Sequence, residues 1–219
     1  MTEQIKQIYL RIRCQLLHLL APVLGGLRRC HHALPGKALR ILFIRTDRIG
    51  DMVLSTPAFR ALKKAFPRSH LTVLASRVNL PLLANNPHVD RVIIYPFGKN
   101  PLSKWRLARA LKKEAFDIVI DPLTSYDLEP ALLAYSSSPR LAIGFEGFGR
   151  EVFFDRVSAI SQCGRRFVDD SFELLRLIGL EDNSRQPELF LTSAEVSRAD
   201  DWFSKHARNG WIRVGIHPG

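Results

Sequence analysis

Asp51 is the residue whose setting first suggests chemistry. It closes the charged turn Arg45-Thr46-Asp47-Arg48-Ile49-Gly50-Asp51, which follows the apolar run Ile41-Leu42-Phe43-Ile44 and leads into a stretch with helical spacing. A strand that enters a helix through such a turn sets its polar groups outside the strand's carboxyl end, where α/β proteins bind ligands. At a helix N-terminus the ionised carboxylate is stabilised by the peptide dipoles, and flanking guanidiniums add to that. Such a group can accept a proton from a hydroxyl held against it, as a general base. The alternative is a helix cap at Asp51, with Asp47 and Arg48 as a solvated turn, and spacing alone favours the cap. A second carboxylate, Asp121, ends the apolar run FDIVID and also falls at a strand's carboxyl end.

Other chemistries find less support. Gly50 is the single glycine of the turn, whereas a dinucleotide fingerprint needs three, so an NAD or FAD site is not expected. The sequence has no nucleophile elbow, no Walker loop and no HExxH. Cys14, Cys30 and Cys163 show neither CxxC nor metal-ligand spacing, which fits a reducing compartment. His31-His32 beside Cys30 lack the further ligands a metal needs, so no metal site is expected. No nucleic-acid module signature is present, and no nucleic-acid partner is expected.

Positioning such a turn calls for alternating strands and helices. Strands are predicted at Ile41–Ile44, Leu71–Ala75, Val92–Tyr95, Phe116–Asp121 and Ala142–Phe145. Helices are predicted from the turn to Phe66, at 79–85, Leu102–Glu114, 127–135, Phe167–Ile178 and Ser193–His206. Pro57 is either a first-turn residue or a kink in a helix that began near Asp51. Residues 144–166 read as one long loop, Leu189–Leu191 as a strand-like link, Gly179 as a C-terminal helix stop and Ser193 as a cap. This alternation implies α/β architecture: a Rossmann-like parallel sheet with helices on both faces. Arg213–Ile216 reads as the opening strand of a second α/β unit. The chain is therefore expected to be a fragment, with residues 39–205 one domain and 206–219 the start of another.

The net charge of +11 is concentrated at the front: seven basic residues face one acid in the first forty positions. Residues 3–20 form an amphipathic helix, with Ile5, Ile8, Ile12, Leu16, Leu19 and Val23 on one stripe and Gln4, Gln7, Arg11, Cys14 and His18 on another. The apolar stretch 16–27 is too short to span a bilayer. A signal peptide is a rival, but Arg28-Arg29 stand where a cleavage site belongs. An anionic membrane surface fits best, with docking on the protein's own fold as the alternative. Residues 25–38 read as a linker, which makes 1–38 a basic N-terminal extension.

ILFIRTDRIGDMVLSTPAFRALKKAFP resembles the N-terminus of the heptosyltransferases, glycosyltransferase family 9. The similarity continues through HLTVLAS, NPHVDRVIIYP, FDIVIDP, the IGF of the fifth strand and RRFVDDSFELLRLIGL to GIHPG, and covers about residues 39–219. The resemblance implies the N-terminal half of a GT-B fold, whose first domain binds a lipopolysaccharide-core or other glycan acceptor. The second domain would bind a nucleotide sugar such as ADP-heptose, and transfer would be inverting, without metal or other cofactor. It implies Asp51 as general base and Arg45, Asp47, Arg48 and Gly50 as acceptor-binding residues. His217, Pro218 and Gly219 would begin the donor-binding loop. Asp121-Pro122-Leu123 departs from the family's pattern, which puts an acceptor role for that loop in doubt. Two further readings stay open: a non-catalytic acceptor- or membrane-binding module left by truncation, and a family-fold enzyme with a protein or capsule-glycan acceptor. On the leading reading the protein is cytoplasmic, peripheral on the inner membrane face, and inactive without its donor half.

Overall fold

The structure, a computed structural model, describes residues 3–26, 38–98, 100–160, 167–206 and 214. Six strands, β1 (Arg40–Arg45), β2 (His70–Ala75), β3 (Arg91–Ile94), β4 (Ile118–Asp121), β5 (Leu141–Phe145) and β6 (Arg156–Ser158), form one parallel sheet in the order β3-β2-β1-β4-β5-β6. The helices are α1 (Glu3–Gly26), α2 (Ile49–Ala65), α3 (Leu80–Leu83), α4 (Pro101–Lys113), α5 (Glu129–Ser136), α6 (Phe167–Arg176) and α7 (Ser193–His206), with 3-10 turns at Arg77–Asn79 and Arg150–Phe153. This is the Rossmann order, and the order in which successive strands are added reverses between β1 and β4.

Parallel sheets need apolar cover on both faces, and the period of two along β1 provides it. Ile41 and Phe43 face α2 and α6, packing with Met52, Phe59, Leu62 and Phe172. Leu42 and Ile44 face α4 and α5, packing with Leu107, Leu111, Ala131 and Leu133. The Phe43 and Phe59 rings meet edge to face at 5.0 Å, which fixes α2 over β1.

Of the two readings of Pro57, the structure takes the second, because α2 begins at Ile49 and Pro57 lies inside it. Proline leaves the carbonyl four residues back without its helical donor. Here the Thr56 hydroxyl donates to Val53 O at 2.8 Å instead. The same hydroxyl accepts from Glu188 N at 2.9 Å. Residues 180–192 are not a strand link, as expected for Leu189–Leu191, but irregular chain fastened along α2. Arg60 donates to Ser184 Oγ at 2.7 Å and pairs with Glu188, and Lys64 reaches Asp182 at 3.3 Å. With its backbone held by α2 side chains, this segment forms no ladder.

Other expectations are corrected in detail. The 144–166 loop contains a 3-10 turn and β6, which pairs with β5. The α7 cap is Thr192, not Ser193: Thr192 Oγ1 accepts from Glu195 N at 3.2 Å while Glu195 Oε2 accepts from Thr192 N at 2.8 Å, a capping box. Gly179, at φ +79°, stops α6 as read. Of the expected strand 213–216 only Val214 is described, outside any element, and the 27–37 stretch of the expected linker lies outside the described residues.

The N-terminal helix docks on the domain, but through an unexpected face. Leu10, Arg13, Cys14, Leu17 and His18, at helical spacing, turn toward the 3-10 turn at Arg150–Phe153. Arg13 Nη2 donates to Phe148 O at 3.0 Å, and His18 Nε2 lies 3.0 Å from Glu151 Oε1. Gly149, in the left-handed region at φ +81°, is the seat, since a Cβ there would lie 2.8 Å from Leu17 Cδ1. The apolar stripe Ile5, Ile8, Ile12, Leu16, Leu19 and Val23 faces outward, each residue more than half exposed.

One buried ion pair ties the end of β4 to this turn. Arg150 Nη2 is 2.6 Å from Asp121 Oδ2, with both side chains at 1% exposure or less. Arg150 also donates to the carbonyls of Leu123 and Ser125. Removing one partner of a buried pair strands the other charge, at a cost of about 3–5 kcal/mol. Arg150→Ala should therefore lower the stability read from urea unfolding by about that much. The double change Asp121→Asn with Arg150→Met should recover much of the loss.

Candidate active site

The turn after β1 stands at the sheet's carboxyl edge where the strand order reverses between β1 and β4, the place where α/β sheets bind ligands. Arg45, the last residue of β1, is only 5% exposed, and its guanidinium organises the turn. Arg45 Nε donates to Asp51 O at 3.2 Å, Nη1 lies 3.4 Å from Asp47 Oδ2, and Nη2 lies 4.0 Å from Asp51 Oδ1. From the neighbouring 3-10 turn, Asn79 Nδ2 donates to Asp47 O at 3.2 Å. The turn is thereby held to both β1 and the segment after β2.

The structure decides against the cap reading of Asp51. Arg48 is the N-cap residue of α2, in extended conformation and with no side-chain cap hydrogen bond. Asp51 is the third helical residue. Its carbonyl is taken by Arg45 and by Ser55 Oγ at 2.8 Å, whereas its carboxylate, 31% exposed, has only the distant Arg45 contact among the described residues. A half-open carboxylate in the first turn of a helix can take a proton from a ligand at that edge.

The other predicted residues divide. Arg45, Asp47 and Gly50 stand in the same turn as Asp51. Burial pushes the Asp47 carboxyl above the usual carboxylate range; Arg45 pulls it back, while Asp51 and Asp121 add to the rise. Asp47 Oδ1 is buried and makes no hydrogen bond among the described residues. At Gly50 an added Cβ would meet nothing within 4 Å, so the space before it is open. Arg48 is exposed and makes no ion pair among the described residues. His217, Pro218 and Gly219 lie outside the described residues.

Asp121, the second candidate carboxylate, is enclosed. Burial raises it above the usual range, and Arg150 and the Leu123 N–H, donating at 3.1 Å, act against that rise. With both oxygens so engaged it is structural, in keeping with the doubt over its loop. Arg150 and Asn79 were missed by sequence reasoning. Neither belongs to a motif, and only the fold brings them to β4 and to the Arg45 turn.

A family model described as glycosyltransferase family 9 (heptosyltransferase) matches residues 104–214, half of the chain. Lipopolysaccharide heptosyltransferase 3 of Escherichia coli is 24% identical over 77% of this chain and 51% of its own length. Lipooligosaccharide heptosyltransferase 2 of Haemophilus ducreyi is 31% identical over 37% of this chain and 24% of its own length. The chain thus spans about a quarter to a half of these curated relatives. The glycosyltransferase family 9 structure from Veillonella parvula superposes with a TM-score of 0.68 at 21% identity, over 81% of this chain and 52% of that one. The E. coli heptosyltransferase WaaC with ADP superposes with a TM-score of 0.56 at 20% identity, over 68% of this chain and 50% of that one. Sheet order, helices on both faces and the family match agree, and the chain belongs to glycosyltransferase family 9, the heptosyltransferases.

Proposed function

We propose that this chain is the acceptor-binding half of a glycosyltransferase that moves heptose, or a related sugar, from a nucleotide sugar onto a lipopolysaccharide-core glycan. The observation that carries the reading is Asp51: a carboxylate in the first turn of α2, at the sheet's reversal point, uncapped and partly open. As base it would take the proton of the acceptor hydroxyl while that oxygen attacks the anomeric carbon from the face opposite the leaving nucleotide, with inversion and without metal. Arg45 holds the base in place, and Asp47, Arg48 and Gly50 line the acceptor's approach. The donor is of the ADP-heptose type, which the ADP complex of WaaC supports. Its site would lie in a second domain beginning near residue 206, with His217, Pro218 and Gly219 in the first donor loop and residues 39–205 forming the acceptor domain. The 219 residues alone would bind acceptor without transferring sugar.

The outward stripe of α1 favours a further element. An apolar ridge beside the exposed Arg11 is suited to an anionic membrane, which would place the enzyme on the cytoplasmic face next to a lipid-linked acceptor. Among the described residues no helix is long and apolar enough to cross a membrane.

In a protein carrying both domains, Asp51→Asn should lower kcat by about 10²–10⁴-fold with an unchanged melting temperature, as loss of a general base does; full turnover would exclude Asp51 as base. Gly50→Ala separates approach from folding. Alanine in a helix is favoured by about 0.5–1 kcal/mol over glycine, so the variant should be at least as stable while its acceptor KM rises. For α1, Ile8→Glu with Ile12→Glu should abolish sedimentation with phosphatidylglycerol vesicles and leave thermal unfolding unchanged; sedimentation that persists would exclude the ridge as the membrane contact.

A further inference from the structure

On the sheet face opposite α2, a second cleft opens beside the same turn. Thr46, between Arg45 and Asp47, forms one wall, and Tyr95, Phe97, Lys104, Asp127 and Glu129 form much of the rest. Its volume is about 170 Å³. That is below the ~300–1,000 Å³ of pockets for drug-sized ligands and suits a single ring.

The chemistry of the lining is specific. Glu129 is held by Lys104, whose Nζ lies 2.7 Å from Oε1 and 2.9 Å from Oε2, and burial together with the neighbouring Glu129 carboxylate pushes the Tyr95 hydroxyl above its ordinary range. Tyr95 is buried at 7% exposure, so this group is fixed rather than a loose surface pair. Asp127 Oδ1 accepts from Glu129 N at 3.0 Å, which orients the second carboxylate at the start of α5. At the rim, Phe97 is 66% exposed, and its ring is braced edge to face by Tyr95 at 4.8 Å. An exposed aromatic face beside oriented carboxylates matches a pyranose, which presents C–H groups on one face and hydroxyl donors at its edge. One cation against two carboxylates leaves the cleft with an excess of negative charge, which disfavours phosphate and acidic sugars.

We propose that this cleft is a subsite for a neutral pyranose ring of the acceptor, with Phe97 stacking on the ring and Glu129 and Asp127 accepting its hydroxyls. Through Thr46 the subsite adjoins the turn that carries Asp51, so a ring held here sets the register of the acceptor against the base. This assignment rests on the reading of the chain as an acceptor-binding half.

The test is saturation-transfer difference NMR on the 219-residue chain, with methyl α-D-mannopyranoside as neutral probe and glucuronate and inorganic phosphate as anionic ones. The ring protons of the mannoside should show saturation. Phe97→Ala should weaken its binding by about tenfold, and Phe97→Trp should retain it. Glu129→Gln should weaken the mannoside and strengthen glucuronate. No saturation of the mannoside, binding indifferent to Phe97→Ala, or phosphate displacing the mannoside from the wild-type cleft would each overturn the proposal. Its failure is distinguishable from that of the catalytic reading. A cleft that binds nothing leaves an Asp51-dependent transferase intact, and a transferase indifferent to Asp51→Asn leaves the mannoside result standing.

Discussion

A guanidinium enclosed at the end of a parallel strand is the constraint on which the site depends. Arg45 is nearly inaccessible, and a charge so placed must be paired and hydrogen-bonded or the strand end will not stay buried. Its three nitrogens reach Asp47, the Asp51 carbonyl and the Asp51 carboxylate. One side chain thus fixes the exit of β1, the turn and the first turn of α2 as a unit. Because Arg45 is aligned with Ala75 on β2, the position of the Asp51 carboxylate follows from sheet register, not from a mobile loop. Preorganisation of this kind is what a base needs if it is to meet a hydroxyl without rearranging.

Two ion pairs near the sheet's carboxyl edge show how burial sorts carboxylates into different tasks. Asp121 and Arg150 are both enclosed, and their pairing holds the β4 exit against the 3-10 turn where α1 docks. Asp51 sits across the reversal point with most of its carboxylate unused. In the sequence the two aspartates looked comparable, each placed at or beyond the carboxyl end of an apolar run, Asp121 directly and Asp51 across a charged turn. The difference comes from Arg150, far away in sequence, whose side chain reaches one and not the other.

What could be read from the sequence follows from this. Strands β1 to β5 were legible because apolar runs bounded by turn residues leave few alternatives, and the Asp51 turn was legible because it is contiguous. β6 was not, because Arg156–Ser158 is three residues with no apolar run, and pairing with β5 alone makes it a strand. The face by which α1 docks was not legible for a physical reason: an apolar stripe is ordinarily the buried one. Here the seat at Gly149 accepts Cys14 and Leu17, and Glu151 draws His18, so the mixed face turns inward. The cleft around Tyr95 and Glu129 could not be read at all, since its members come from four separate segments.

The irregular segment 180–192 also has a mechanical meaning. It is riveted along α2 by Arg60, Lys64 and the Thr56 hydroxyl, which accepts from Glu188 N while its proton serves the Val53 carbonyl that Pro57 leaves without a donor. Chain that emerges after residue 192 therefore pulls on the helix that bears Asp51. A tug transmitted through these rivets runs along the axis of α2 toward its first turn, so the segment is placed as a tendon inserted on the helix that bears Asp51.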